Sequence, residues 1–490
     1  FEQLGIEDRD EFFLTHEFTW RHTERVCEII FGNVRTLPDA SLQANGSDWK
    51  LVIDFPFDEA GRTPQDDLSR LEKFRQDHGD GSRTICWIPS FFKPSARKDL
   101  GNLVVLEHIL TGERFGGYSS HLPYQDRAAA KALLENQRSQ LRQRVLQHLN
   151  VAYGIDRQSK DSVDTSHELS ECFRSLWHGF DPQPPVGADL QRAMQHLLEQ
   201  ALEHQYPAHP KFEAPPKGAN LKKVYDEVHK ATEVQDGRVE VEKTLRPLLR
   251  AIADPLLLGE MHETVFLLGQ HWNNHLNPKV AEAGGVPTVG QLRHWINVPR
   301  PRGLPKHVEN LVILIYTEQT NRTFYLHGAP TEASLTSMPD QLELRTWVGP
   351  PEAQWKTAVQ RAGQILGAKS TSALLNATNV NSLVTEVQEL ARQFQTACRG
   401  LCKCLRERLQ KLGMSVTGAP RMRTATAVLS LVDKLGSAHE NDVVPALASA
   451  EVATSETAMG KSLRSAAELA DRIDATSWGV FADIGELADE

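Results

Sequence analysis

No apolar run in these 490 residues approaches the roughly 18 that a bilayer-crossing helix needs, and no signal-peptide pattern opens the chain. Cysteine is scarce. There are six, and Cys27, Cys86 and Cys172 stand far apart in apolar settings, which rules out a disulfide scaffold and fits a reducing, cytoplasmic compartment. Positive charge is also in deficit: 54 Lys and Arg face 64 Asp and Glu, a formal balance of −10. A chain of that sign does not condense as a whole on nucleic acid or an anionic membrane, so any such contact needs a local basic face. A repeat of fixed period, a low-complexity tract, a nucleophile elbow, a Ser/His/Asp constellation and a CxxC pair are all missing. The chain opens on Phe1 rather than Met, so a piece of something longer is expected.

The absence with the largest consequence is a phosphate cradle. A P-loop needs a glycine-rich turn followed by Lys and Ser/Thr in the pattern GxxxxGK[ST], so that backbone N–H groups wrap the phosphates. "GQILGAKST" supplies Gly363, Gly367, Lys369 and Ser370, but Ala368 separates glycine from lysine. "SETAMGKSL" supplies Gly460, Lys461 and Ser462, but Ser455 stands where the first glycine belongs. Both sit in helical surroundings, and neither follows a buried strand. "KLVIDFPFDE" bears on the same question, because Asp54 ends a strand as a magnesium-binding aspartate would. Pro56 interrupts the acidic run, however, and without a cradle such a carboxylate has nothing to organise. The plainer reading of Asp54, Asp58 and Glu59 is a strand end whose carboxylates cap backbone donors. The sequence therefore predicts no catalytic, cofactor-binding or metal-ligating residue in this segment. A metal-dependent enzyme acting on nucleic acid through Asp54, Asp58 and Glu59 is the alternative, and a pure protein scaffold is a third.

What is present reads as a mixed, α-rich fold. Residues 1–120 form an α/β lobe: strands at Val26–Val34, "WKLVIDFPF" and "RTICWIPSFF". Between the last two lies a helix capped by Thr63, with Pro64 in its first turn, so the three make a βαβ unit with a parallel pair. Residues 121–205 read as helical, dominated by the long helix Asp126–Leu149. That helix carries Arg127, Lys131, Arg138, Arg142 and Arg144 against Asp126 and Glu135. It could lie on phosphates, although a solvated face is the simpler account. The proline-rich stretch 206–218 reads as a linker. Residues 219–330 hold helices and a winged-helix-like module, and 331–490 a helical domain with coiled-coil-like spacing of Val387, Leu390, Phe394, Ala397 and Leu401.

Two metal-like clusters have bland readings. His271 and His275 stand four apart, but no HExxH glutamate accompanies them. Cys398, Cys402 and Cys404 lie on a helix rather than on turns, so buried thiols are expected. Nucleic-acid contact has the more specific candidate. Thr288 and Gln291 occupy capping-box positions, "NVPRPRG" makes a turn, and "LPKHVENLVILIYTEQ" followed by "NRTFYLHG" gives a second helix and a strand. That is the order of a winged helix-turn-helix. Its candidate nucleic-acid-binding residues are Arg293, Arg300, Arg302, Lys306, His307 and Asn310, the last three on the open side of the second helix. Glu309 and Glu318 dilute the basic face, and winged helices also bind proteins, so both partners stay open.

"TWRHTERVCEIIFGNVR", "WKLVIDFPFDEAGRTPQDDLSRLEKFR" with "TICWIPSFF", and "VGQLRHWINVPRPRGLPKHVENLVILIYTEQTNR" resemble segments of the large phage-defence ATPases of the PglY/BrxC kind. These belong to bacterial BREX and phage-growth-limitation systems. The resemblance implies a portion downstream of a P-loop motor domain, with ATP and Mg²⁺ bound by that domain of the full-length protein. It also implies a methyltransferase and a phosphatase-like protein as companions, with DNA as a possible ligand and no membrane. No nucleotide-binding residue carries over, because the motif that holds such residues is not in this stretch.

Overall fold

Trp49–Ile53 is buried at every position, and that fixes its place. A strand with one solvated face alternates, whereas a strand buried throughout must be covered on both faces. In the computed structural model, which describes residues 11–156, 161–164, 167–183, 189–369 and 372–481, this strand (β3) is central. It lies in a five-stranded sheet of sequential order with β1 (Glu11–Trp20), β2 (Thr23–Gly32), β4 (Gly81–Trp87) and β5 (Phe173–Trp177). Strands β2, β3 and β4 are parallel, and the two outer strands run antiparallel to their neighbours. The short helix α1 (Asp39–Leu42) follows β2, and α2 (Pro64–His78) makes the β3–β4 crossover. Helix α2 begins as its sequence predicts, with Thr63 and Asp66 in a capping box.

Both faces of the sheet are covered. On one, Leu68, Leu71 and Phe74 of α2 pack with Ile30, Val52 and Cys86. On the other, Leu197, Leu198 and Ala201 of α6 (Leu190–Gln205) pack with Ile29, Leu51 and Ile85. The α/β lobe therefore runs well past residue 120, because β5 and α6, expected to lie in a separate helical region, complete its sheet and core. By contact density the chain divides into one unit through His209 plus Arg300–Gly303, and a second of Pro210–Pro299 with Leu304 onward.

Between β4 and β5 the first unit carries an arm: α3 (Pro94–Leu110), α4 (Arg114–Tyr118) and the 29-residue α5 (Tyr124–Ala152). Helices α3 and α5 are tied by Arg138 and Arg142 to Glu107 (3.6 and 3.3 Å) and by Arg144 to Asp99 (3.5 Å).

The second unit begins with α7 (Gly218–Thr232). A small antiparallel sheet follows, made of β6 (Arg238–Glu240), β7 (Gly259–Met261) and β8 (Val265–Leu268), with α8 (Arg246–Ile252) between its first two strands. Then come α9 (His271–Glu282), α10 (Val289–Ile296), α11 (Lys306–Gln319) and the sheet β10 (Ala329–Pro330), β9 (Arg322–Leu326), β11 (Glu343–Thr346), in that spatial order. Helix α11 is buried without a break from Val308 to Thr317. A helix apolar nearly all round becomes the core of its domain.

Beyond it α12 (Glu352–Arg361) runs into a π-helical turn, Ala362–Leu366. The 35-residue α13 (Ala377–Lys411), α14 (Pro420–Ser437), α15 (Glu440–Ala448), α16 (Glu456–Arg464) and α17 (Ala466–Ala475) follow. Arg361 fastens this helical part: it donates to the carbonyls of Leu447, Ala448 and Ala450 and pairs with Glu456 at 3.0 Å.

Candidate functional site

The end of β3 and the turns beside it gather five polar residues: Asn33, Arg35, Asp54, Asp58 and Asp67. Asp54 and Asp67 are each 1% exposed. One Asp54 carboxylate oxygen accepts from the Phe55 N–H at 2.7 Å. Its other oxygen, and both of Asp67, lack a well-formed hydrogen bond among the described residues, with only the Val34 and Arg35 amides offering weaker support to Asp54 and Asp67. Burial first, and then the neighbouring Asp67, hold Asp54 well above the ordinary carboxylate range. Burial and Asp58 push Asp67 up to about 7. Asp58 behaves differently. Burial alone would raise it, but the Arg35 guanidinium (3.0 and 3.2 Å) and the Glu59 N–H bring it below the usual range. Arg35 also reaches Glu59 at 3.3 Å. The expectation that these carboxylates cap a strand end describes Asp54 and Asp58 well. The alternative of one metal-binding trio does not describe this arrangement. Asp54 is shut inside, Asp58 and Glu59 face Arg35, and among the described residues no group of three His, Cys, Asp or Glu stands close enough to hold a metal.

The residues singled out for nucleic acid scatter. Arg293 is held inside its fold, with Nη2 donating to Asn310 Oδ1 (2.6 Å) and the Met338 carbonyl (2.9 Å). It also lies 3.4 Å from Glu309 and pairs with Asp340. Asn310 is 3% exposed and donates to the Leu335 carbonyl. The open side expected for Lys306, His307 and Asn310 is therefore corrected: α11 turns inward, and only its first residue, Lys306, is exposed. His307 is half-buried, with Nε2 3.0 Å from the Pro216 carbonyl. Arg300 and Arg302 group with the first unit. There Arg300 is exposed, and burial lowers the pKa of the Arg302 guanidinium.

Neither glycine–lysine stretch forms a cradle among the described residues. Ser370 lies outside them. Gly460 sits inside α16 against the carbonyls of Gln364 and Ile365, so close that any Cβ would collide with the Gln364 oxygen. It is a helix-crossing glycine. Gly460→Ala is accordingly expected to cost about 1–3 kcal/mol in thermal or urea unfolding, while Lys461→Ala, on an exposed position, stays within about 0.5 kcal/mol of the parent. A phosphate-binding loop would give the opposite pattern, with ATP turnover lost at Lys461 and stability kept.

The metal-like clusters resolve plainly. His275 Nε2 is 2.8 Å from both the Trp295 carbonyl and Lys279 Nζ. All six cysteines are free and buried, with Cys404 directed at Asp474.

The arm was the surface least visible from sequence. Of the seventeen residues of α3 only Ala96 is buried, and of α5 only Leu141, Val145, Val151 and Ala152. Leu103 through Leu106, Ile109 and Leu110 are only partly buried. At helical spacing Val105 and Ile109 lie opposite Glu107, the residue that ties α3 to α5. Leu133 and Leu146 of α5 are 59% and 51% exposed. Beside them Arg142 and Arg144 are largely in solvent. Among the described residues no helix is long and apolar enough to cross a membrane.

Three domain families match the chain. The PglY fourth domain covers residues 1–206, the BREX System ATPase PglY protein 5th domain 219–317, and the 6th domain of the same protein 359–490. No solved structure matches it. Matches to the fourth, fifth and sixth domains, in that order along the chain, mark a protein of a BREX defence system. The chain belongs to the PglY family of BREX system ATPases.

Proposed function

We infer that this region of the PglY-family protein is a non-motor part of the defence ATPase. In this reading it binds partner subunits and passes on the state of an ATPase domain elsewhere in the full-length chain, which would hold ATP and Mg²⁺. One observation carries the reading: the α3–α5 arm leaves on α3 a row of aliphatic side chains only partly buried, where Ala96 alone of the helix is buried. A helix laid on that row would find apolar contact along Val105 and Ile109, on the side of α3 away from Glu107 and its tie to Arg142. The fitting partner is therefore an amphipathic helix. Companions of the methyltransferase or phosphatase-like kind are the first to test. The α9–α11 region with β9 and β11 is winged-helix-like in its order of elements. Its buried second helix favours a structural or protein-facing role over DNA reading.

The variant Val105→Asp/Ile109→Asp is expected to weaken co-purification with the other BREX proteins by about a hundredfold, since each buried aliphatic side chain contributes about 1.5–3 kcal/mol. Its melting temperature should stay close to the parent's. Retention of every subunit by this variant would refute the docking role. Salt-sensitive retention on DNA, abolished by Arg142→Ala/Arg144→Ala and indifferent to the apolar pair, would replace it with phosphate contact.

A further inference from the structure

Two cavities of the second unit share Tyr225, Leu314 and Ala333, and so make one groove along α7 and α11. The first, about 720 Å³, is bounded by Lys217, Lys222 and His307. The second, about 1130 Å³, passes between β9 and the first turns of α13 to Glu332, Glu389 and Glu440. Joined, they exceed the roughly 300–1,000 Å³ of a small-molecule site.

The ends differ in sign. Among the described residues no side chain caps the start of α7, so its first amides add positive potential beside Lys217. Lys222 shares its charge with Asp226 at 2.7 Å, but both are exposed, and such a pair exchanges partners readily. At the far end Glu332, Glu389 and Glu440 are all exposed. Among the described residues the one cation lining that cavity, Arg322, turns to the carbonyls of Gly285 and Leu344. The middle is neutral in effect. Tyr225 donates to Glu318 at 2.8 Å and His229 meets the same carboxylate at 2.9 Å, which leaves ring and aliphatic surface, with Leu314, facing the groove.

We propose that this groove binds an extended peptide segment of a partner protein, apolar at its centre, acidic where it meets Lys217 and Lys222, and basic where it meets Glu389 and Glu440. Opposite charges at the two ends fix the direction of the segment as well as its composition. A nucleic acid, negative along its whole length, would be repelled from the glutamate end. The site is separate from the helical arm of the first unit, so either can fail alone.

The test is selection of a phage-displayed random dodecapeptide library on the purified 490-residue chain. The expected winners carry an apolar centre between an acidic and a basic end. A fluorescein-labelled winner should lose about tenfold or more in affinity on Glu389→Lys/Glu440→Lys, and likewise on Lys217→Glu/Lys222→Glu. The fourfold reversal should select peptides of the opposite polarity. All these positions are exposed, and unchanged melting temperatures would exclude misfolding. No enrichment, winners without charge order, or equal binding by parent and both paired variants would each overturn the proposal.

Discussion

Asp67→Asn is expected to make the protein more stable at pH 8 and no more stable at pH 4. In the folded chain burial and Asp58 hold the Asp67 carboxyl at about 7, against 3.8 when it is free. Between those values the folded state holds a proton that the unfolded state has released, so stability falls as pH rises from about 4 to about 7. Above that window the ionised carboxylate has to remain in a buried site where the Arg35 amide and guanidinium only partly offset the burial and the neighbouring carboxylates. The difference corresponds to about 4 kcal/mol at its upper limit. Asparagine removes the charge and flattens the slope. Asp54 is raised in the same direction by burial and by Asp67 itself, so part of the slope should persist in the single variant and disappear in Asp54→Asn/Asp67→Asn. Urea unfolding at half-unit steps from pH 4 to pH 8 gives the profile. An unchanged slope would mean that water or another ligand satisfies these carboxylates. A stable Asp67→Asn variant that lost a metal-dependent activity would restore the enzymatic reading of this strand end.

Much of the first lobe was legible because its signals are local. The continuous burial of β3 follows from "WKLVI", and the start of α2 follows from Thr63, Pro64 and Asp66 within four residues. Strands β1 and β5 were not legible. "EFFLTHEFTW" does not alternate and becomes a strand by pairing in a hairpin with the adjacent β2, and "FRSLW" is five residues long and becomes one by pairing with the distant β4. The arm escaped for a related reason. Apolar spacing predicts that α3 and α5 are helices, but not that so little lies over them. Helix α11 did carry a usable signal, since "VENLVILIYT" has no polar stripe of the kind a groove-reading helix shows. Weighting that run over Lys306 and His307 would have placed the helix inside. Nothing in sequence links Arg293 to Asp340, 47 residues away.

That arginine supports the second large effect. Arg293→Met should cost about 3–5 kcal/mol, the penalty for leaving one member of a buried ion pair without its partner. Arg293 joins α10 to Glu309 and Asn310 of α11 and to Met338 and Asp340 in the segment before β11. Without it Glu309 keeps Asn297 at 3.1 Å as its neutral donor. Burial already pushes Glu309 up to about 7, with Asn297 and Arg293 opposing. The sign of the pH dependence follows. A protonated Glu309 needs no cation, so the deficit of the variant should be small in mild acid and grow as pH rises through neutrality. Adding Glu309→Leu should recover most of the loss, because an apolar pair of similar volume avoids the stranded charge. Arg300→Ala, on an exposed residue of the other unit, should leave stability within about 0.5 kcal/mol. If Arg293→Met instead melted with the parent and lost a salt-sensitive DNA complex, its guanidinium would be a contact residue and the buried network dispensable.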